Sequence, residues 1–327
     1  MTSLSGELKQ WGADHPESPV AGNVPLSELT TFRIGGPAQM LVSVYNEEHL
    51  ADLIDLLDCQ NLPFYLLGGG SNILFSDLGF RGAVLKLGAC FEQVVIAGTK
   101  IFAGAGARTS YVMKLAQQNG LTGLEPLVGL PGTIGGAIKC NAGGRYGDIG
   151  DLVEKVKVLT AGREFVSLTR SQLKFGYRSL DMGLADGIIL EAELSLNRGH
   201  PEDIRSRTGR SLAMRANQPV GSSAGCIFRN PQQPPFGRSY TDDAGRYVEP
   251  EILSAGQLID LCGLKGRTLG GSQISPKHAN FIVNLGGSRA SDVMFLVSEI
   301  KRAVLCRFGL ALHMEIKCPA AGGRENG

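Results

Sequence analysis

Two glycine-rich segments are the residues of this chain whose types and spacing most clearly indicate chemistry. The first, GGGSN at 68–72, follows directly after the apolar run Phe64 to Leu67, and the second, PGTIGGA, occupies 131–137. Because glycine has no Cβ and adopts positive φ at little cost, such segments let backbone N–H groups converge on an anion. A strand that runs into a loop of this kind can bind a diphosphate through its main chain. The pattern therefore predicts a site for a large nucleotide cofactor.

Neither segment matches a motif that would identify the nucleotide. The chain contains no G-x-x-x-x-G-K-[ST], and no G-x-G-x-x-G opens a helix with an acid about twenty residues later. An ordinary Walker or Rossmann site is therefore not expected. The alternative for each loop is a tight turn or a close strand crossing. Two such loops, in a chain where 45 of 327 residues are glycine, favour binding over turns alone.

The composition is typical of a globular protein that acts on a small molecule. Hydrophobic residues make up 43% and charged residues 19% of the chain, and the formal net charge is +1. This balance gives no support to a nucleic-acid or acidic-membrane surface, and no obligate protein partner is indicated. The five histidines show no metal-ligand spacing, so we expect no metal.

Cysteine usage and the N-terminal sequence predict a cytoplasmic location. The seven cysteines are odd in number, scattered, and contain no C-x-x-C, which argues against a disulfide framework and against a zinc site. Residues Met1 to Gln10 lack the basic-then-apolar pattern of an export signal. No apolar stretch approaches the roughly eighteen residues of a membrane span.

Periodicity predicts the elements that must position the glycine loops. Gln39 to Tyr45 and Pro63 to Leu67 are predicted strands, and the intervening Glu47 to Leu57 is a predicted amphipathic helix. Together they form a βαβ unit whose exit is the first glycine loop. Before the second loop we predict a strand at 83–87, a hairpin of strands at 93–96 and 100–103, and a helix at 109–119 that ends at Gly120.

The second half of the chain combines hairpins with two substantial helices. We predict an antiparallel hairpin from Leu152 to Leu168 and a strand from Ile188 to Leu196. Pro201 to Asn217 is charged and helix-prone, and Pro231 to Arg238 is predicted to be an exposed loop. The C-terminal part is predicted to contain a helix at 254–262, a loop and strand at 273–283, a helix at 291–308 with Ser288 or Ser291 as N-cap and Gly309 after its end, and a final strand at 310–317.

Six motifs in order along the chain resemble those of the UDP-N-acetylenolpyruvoylglucosamine reductase (MurB) family. They are TFRIGG at 31–36, GGGSN at 68–72, GLPGTIGGA at 129–137 with NAG at 141–143, FGYR at 175–178, SAGCIFRNP at 223–231 and KHANF at 277–281. The resemblance covers nearly the whole chain. It implies an α+β fold of the vanillyl-alcohol-oxidase type, with two FAD-binding (PCMH-type) subdomains and a smaller C-terminal substrate-binding domain. The expected boundaries are 1–24 for an N-terminal extension, then 25–88, 89–216 and 217–320.

The resemblance also implies the cofactors FAD and NADPH and a UDP-sugar substrate. The family reduces an enolpyruvyl ether to a lactyl ether, with hydride passing from NADPH through flavin N5 in peptidoglycan precursor synthesis. The cofactor-binding residues that it implies are Arg33, Gly68, Gly69, Gly70, Ser71, Asn72, Ile73, Leu74, Pro131, Gly132, Thr133, Gly135, Gly136, Ala137, Asn141 and Gly143.

Three residues match the catalytic positions of the family. Arg178 is implied to stabilise the negative charge that follows hydride transfer, because its planar fork matches a carboxylate and it stays protonated. Glu315 is implied to donate a hydrogen bond if burial keeps it protonated. Cys226 stands where the family usually has a serine proton donor, and from an ordinary thiol pKa we expect retained activity, an altered pH profile and reaction with thiol reagents. Inert packing is the alternative for this cysteine.

Four further residues match substrate-side positions of the family, namely Tyr177, Arg229, Asn230 and His278. Arg229 replaces a frequent lysine and keeps its positive charge, whereas His278 fits a loop hydrogen bond equally well. Segment 232–250 is longer than in compact members, and whether it covers the UDP moiety stays open.

Two other functions remain alternatives. One is an oxidase or dehydrogenase of the same flavin fold, against which the C-terminal motifs argue. The other is a flavin-binding protein whose catalysis has decayed, for which the cysteine at 226 is the support in the sequence.

Overall fold

The structure is a computed structural model that describes residues 4–184, 187–232, 240–241, 247–248 and 252–320. Most of the predicted loop at 231–238, and most of segment 232–250, lie outside the described residues. The described residues form seven helices and three main sheets. No helix among them is long and apolar enough to cross a membrane.

The first layer is a four-stranded sheet of order β1-β2-β4-β3, covered by two helices. Helix α2 begins at Asn46, whose side chain accepts from the N–H of His49, and it buries leucine and isoleucine at positions 50, 53, 54 and 57. The predicted βαβ unit is confirmed, but its strands β2 and β3 each pair in parallel with β4, which lies between them. The elements are α1 (Leu4–Asp14), β1 (Val20–Pro25), β2 (Pro37–Val44), α2 (Glu47–Cys59), β3 (Phe64–Leu66) and β4 (Phe80–Leu87).

The second layer is a five-stranded antiparallel sheet of order β11-β10-β14-β6-β5. Both predicted hairpins are confirmed, and the predicted helix at 109–119 ends, as expected, before Gly120, which has φ +64°. The elements are β5 (Val94–Ala97), β6 (Lys100–Gly104), α3 (Thr109–Gln118), β7 (Leu121–Thr122), α4 (Ile134–Lys139), β8 (Gly143–Gly144), β9 (Gly147–Asp148), β10 (Val153–Leu159), β11 (Phe165–Thr169), β12 (Lys174–Gly176), β13 (Ser179–Asp181), β14 (Ile188–Ser195), β15 (Asn197–Arg198) and α5 (Pro201–Arg215).

The third layer packs two helices against a small sheet of order β18-β19-β20. Its core also contains Phe32, Ile34 and Leu74 from the first layer, so the TFRIGG motif anchors the C-terminal part of the chain. The elements are β16 (Tyr240–Thr241), β17 (Tyr247–Val248), α6 (Ala255–Leu261), β18 (Thr268–Leu269), β19 (Ser272–Ile274), β20 (Ile282–Asn284) and α7 (Ala290–Phe308).

The predicted N-cap of the long helix α7 is wrong. The helix begins after Arg289, and the carboxylate of Asp77 accepts from the N–H groups of Ala290 (2.6 Å) and Ser291 (3.0 Å). Ser288 instead bonds to Ser272. A carboxylate more than two hundred residues away therefore caps the helix in place of a local serine. Its negative charge also interacts favourably with the positive end of the helix dipole.

The predicted final strand at 310–317 is also wrong. This segment makes single-residue bridges, Met314 with Phe228 and Lys317 with Ile73, and forms no strand. A ladder needs several consecutive pairs with one neighbour, whereas this segment changes neighbours within three residues. It thereby joins the C-terminal layer to the first glycine loop.

Candidate active site

The two glycine loops lie against each other and together line a cavity of about 770 Å³, within the usual range for ligand clefts. Arg178 from the second layer and Arg229 from the third layer also line it. The other lining residues include Gly68, Gly69, Gly70, Ser71, Asn72, Ile73, Lys86, Arg108, Pro131, Gly132, Thr133, Gly135, Gly136, Ala137 and Lys317.

The loops approach each other so closely that only glycine fits. A Cβ on Gly69 would lie 2.6 Å from the Cα of Gly132, and one on Gly70, which has φ +63°, would lie 2.1 Å from the carbonyl oxygen of Leu29. The Ser71 hydroxyl donates to the carbonyl of Pro131 at 3.0 Å and ties the two loops together. The first loop therefore has its shape fixed by the second.

The backbone amides of the first loop are available for a ligand. The N–H groups of Gly69, Gly70 and Ser71 donate to no other described residue, although the carbonyl of Asn72 accepts from Lys317. Several amides without acceptors along one wall of a cavity suit the oxygens of a diphosphate. The loops thus fit a dinucleotide, as their composition predicted.

Arg178 occupies the tip of a hairpin at the end of the cavity. Strands β12 and β13 are joined by the two residues Tyr177 and Arg178, and Arg178 has φ +54°, an uncommon conformation for a residue with a side chain. Its Nη1 and Nη2 donate to the carbonyls of Asn141 (3.2 Å) and Gly143 (3.0 Å). The guanidinium is therefore held by backbone oxygens that cannot titrate.

Glu315 lies against the same guanidinium. Its Oε1 is 2.9 Å from Nε of Arg178, so the two groups form an ion pair. Burial raises the pKa of Glu315, although Arg178 acts in the opposite direction. The N–H of Glu315 donates to the carbonyl of Ile227 at 2.8 Å, which places the carboxylate beside the segment that carries Cys226.

Cys226 completes this group of three. Burial and the nearby carboxylate of Glu315 raise the pKa of the Cys226 thiol to about 12, against the attraction of Arg178 and Arg215. The thiol is therefore protonated throughout the physiological range and holds a proton to give. Because burial lowers the fraction of thiolate that thiol reagents attack, we now expect slower reaction with them than an ordinary thiol pKa would give.

The predicted substrate-side residues lie in two places. Arg229 lines the cavity, and the N–H of Asn230 donates to the hydroxyl of Tyr177 at 3.2 Å. His278 is not among the cavity residues, because its ring packs on Phe281 and its Nδ1 accepts from the N–H of Asn280. Burial lowers the pKa of His278, which favours the neutral ring.

Four of the predicted cofactor-binding residues do not line the cavity. Leu74 is buried in the C-terminal core, and Arg33 lies in a neighbouring open groove beside Gly69. Asn141 and Gly143 bond to Arg178 through their carbonyls. The other predicted loop residues do line the cavity.

Some lining and supporting residues were missed by sequence reasoning. Lys86 lines the cavity, where burial and then repulsion from Arg108 lower its pKa. Asn280 is almost fully buried and bonds to the N–H and carbonyl of Phe228, so it fixes the segment that carries Cys226. The KHANF motif contained Asn280, but nothing in the sequence indicated this role.

Two arginines around the site have unused donors. The Nε atoms of Arg215 and Arg229 are buried and make no hydrogen bond within the described part of the chain. Arg215 had not been predicted, and its Nη2 donates to the carbonyl of Pro126 at 3.0 Å. A buried donor without an acceptor is costly, so these two donors favour an anionic ligand.

Comparison with known proteins agrees with this geometry. The C-terminal domain of UDP-N-acetylenolpyruvoylglucosamine reductase matches residues 217–319, and an FAD binding domain matches residues 38–169. The chain is 38% identical to the UDP-N-acetylenolpyruvoylglucosamine reductase of Caldanaerobacter subterraneus subsp. tengcongensis over 90% of this chain and 92% of that protein. The reductase of Clostridioides difficile is 36% identical over 90% of this chain and 91% of that protein.

A solved structure extends the likeness to three dimensions. The crystal structure of UDP-N-acetylenolpyruvylglucosamine reductase (MurB) from Thermus caldophilus matches with a TM-score of 0.74 and 35% identity, covering 92% of this chain and 98% of that one. The predicted α+β architecture with an FAD-binding part and a C-terminal domain is thereby confirmed. With relatives above 30% identity along nine-tenths of its length, this chain belongs to the UDP-N-acetylenolpyruvoylglucosamine reductase (MurB) family.

Proposed function

We propose that this protein is an NADPH-dependent flavoprotein that reduces UDP-N-acetylglucosamine enolpyruvate to UDP-N-acetylmuramate, a step of peptidoglycan precursor synthesis. The relatives that carry the reductase name align with about nine-tenths of the chain. The observation that carries the proposal is the group of Arg178, Glu315 and Cys226, a fixed cation, a carboxyl and a protonated thiol beside a dinucleotide cavity.

FAD fits the cavity that the two glycine loops line. The free amides of 69–71 would hold its diphosphate, and the adjoining loop at 131–137 lines the same cavity. When bound, the flavin supplies to the methylene carbon of the enolpyruvyl group a hydride that it has taken from NADPH. The chain must then bind the substrate, stabilise the charge and deliver a proton.

Arg178 is proposed to stabilise the charge. Hydride addition leaves an electron pair on the carbon next to the methylene, delocalised into the substrate carboxylate, and this charge needs a cation already in place. The guanidinium of Arg178 is held by two backbone carbonyls, and its planar fork matches a carboxylate. Burial raises the pKa of Glu315, and in its protonated form the carboxyl would donate a second hydrogen bond to the same enolate.

Cys226 is proposed to complete the reduction. The S–H bond breaks, its proton joins the charged carbon as a new C–H bond, and the sulfur keeps the electron pair as a thiolate until water reprotonates it. The positive charges of Arg178 and Arg215 lie close enough to favour the thiolate. Tyr177, Arg229 and Asn230, with His278 at a greater remove from the cavity, are proposed to bind the UDP-sugar.

The proposed division of the chain has boundaries at 24, 88, 216 and 320, and we propose a cytoplasmic location, where nucleotide sugars and NADPH are available. An oxidase of the same flavin fold is not favoured, because the family membership rests on substrate-reducing enzymes.

Three optical observations test this function. The purified protein should be yellow, NADPH should bleach the flavin under anaerobic conditions, and the enolpyruvyl UDP-sugar should restore the absorbance. A protein that binds no FAD refutes the proposal outright. If NADPH bleaches the flavin but the enolpyruvyl UDP-sugar does not restore its absorbance, the oxidase or the decayed enzyme would be favoured instead.

A further inference from the structure

The conformation of Arg178 requires support from outside its own hairpin. It lies in a two-residue turn between β12 and β13 with φ +54°, a region that residues with a Cβ visit rarely. Hairpins normally place glycine, asparagine or aspartate at such a position. A hairpin of two three-residue strands, without further contacts, would therefore not hold this arginine in a single orientation.

Asn141 supplies that support through its side chain. Its Nδ2 donates to the carbonyl of Gly176 at 2.9 Å, directly before the turn, and its Oδ1 accepts from the N–H of Gly150 at 3.0 Å. The residue is only 5% exposed and itself has φ +40°, which asparagine tolerates better than most residues. Both polar atoms of this buried amide are thus used within the protein.

The backbone around Asn141 also receives the guanidinium. Its own carbonyl accepts from Nη1 of Arg178 at 3.2 Å, and the carbonyl of Gly143 accepts from Nη2 at 3.0 Å. The carboxylate of Asp148 lies 3.5 Å from the same Nη1. The loop at 141–143 therefore forms hydrogen bonds both to the backbone before the turn and to the guanidinium of Arg178.

We propose that Asn141 is a positioning residue for Arg178 and not a contact of the cofactor. Its side chain locks the backbone before the strained turn, and its carbonyl sets the direction of the guanidinium. The inference rests on the proposed function, because it concerns the step in which Arg178 meets the substrate. It replaces the earlier expectation that Asn141 binds the flavin, since its amide is occupied and it does not line the cavity.

The test uses two variants of the flavin-loaded enzyme that both remove the bond to Gly176 but differ in what they keep. Asn141→Asp keeps the acceptor for Gly150 but turns an oxygen towards the carbonyl of Gly176, whereas Asn141→Gly keeps the left-handed backbone and removes both bonds. Asn61→Gly is the matched control, because Asn61 also has positive φ but lies on the surface after α2.

We expect both variants to retain FAD and to be reduced by NADPH at the parent rate. Reoxidation by the enolpyruvyl UDP-sugar should fall about 10- to 100-fold, the scale of a small misplacement of a catalytic group. Asn61→Gly should leave both half-reactions unchanged.

A double-mutant cycle with Arg178→Lys separates positioning from general structural damage. If Asn141 acts through Arg178, the loss in the double variant should be far smaller than the product of the two single losses. Multiplicative losses, weakened FAD binding, or reoxidation at the parent rate in both Asn141 variants would overturn the inference. If the parent enzyme itself is not reoxidised by substrate, the proposed function fails instead, so the two failures are distinguishable.

Discussion

The thiol of Cys226 should be one of the least reactive in the chain, although it stands at a proton-donor position. Its pKa is raised from 9.0 to about 12 by burial and Glu315. This rise in pKa lowers the thiolate fraction at pH 7 by about a thousandfold, and the rate of alkylation is proportional to that fraction. Cys59 and Cys306 are exposed and provide internal references.

The assay is iodoacetamide labelling of the flavin-loaded, substrate-free enzyme, followed by mass spectrometry of the cysteine peptides. Between pH 7 and 10 the thiolate fraction of Cys226 should rise about tenfold per unit without a plateau, because the folded pKa lies above that window. Glu315→Gln removes a charge that raises the pKa, so labelling at a fixed pH should become faster. A plateau near pH 9, or labelling at pH 7 as fast as that of Cys306, would refute the reasoning.

Four other substitutions test separate parts of the account. Arg178→Lys should leave flavin reduction by NADPH unchanged and slow reoxidation by substrate at least about a hundredfold in stopped-flow traces, because a point charge replaces a planar fork; equal slowing of both steps would contradict this. Gly69→Ala should weaken FAD binding, measured by flavin fluorescence, because its Cβ would lie 2.6 Å from the Cα of Gly132; unchanged affinity would mean that the loops separate freely. Lys86→Met should weaken FAD binding roughly 10- to 100-fold, and the Kd of the variant should vary less with salt concentration, since the lost cation lines the cavity; an unchanged Kd would remove Lys86 from the site. Asp77→Ala should destabilise helix α7 by about 1 kcal/mol in urea unfolding, because two capped N–H groups lose their acceptor; an unchanged midpoint would show that water replaces the carboxylate.

Local patterns in the sequence predicted most of the elements, because their causes are local. Helix α2 follows from its apolar spacing and the cap at Asn46, and helix α3 ends where Gly120 permits positive φ. The glycine loops could likewise be predicted, since a diphosphate site needs close backbone approach.

The errors came where a distant residue decides the outcome. Asp77 caps α7 from the first layer, and the segment at 310–317 divides its bonds between two neighbours instead of forming a strand. Neither fact leaves a periodic signal in the sequence. Only the fold reveals that Asn141 serves the Arg178 turn or that Lys86 faces the cavity.

The three proposed catalytic residues were identified from family motifs, and no spacing rule would have brought them together. Arg178, Cys226 and Glu315 come from three separate segments that meet because 313–315 pairs with 227–229 beside the β12–β13 hairpin. The raised pKa of Cys226 depends on that assembly, and the ordinary thiol pKa used for the sequence could not include it.

The most direct measurement of the central claim is the single-turnover reoxidation of the NADPH-reduced enzyme by the enolpyruvyl UDP-sugar, in the parent and in Cys226→Ala and Cys226→Ser. The account predicts rapid return of the flavin absorbance in the parent, substantial return in the serine variant and almost none in the alanine variant, with all three reduced equally by NADPH. Reoxidation of the alanine variant at the parent rate would contradict the role of the Cys226 thiol as proton donor.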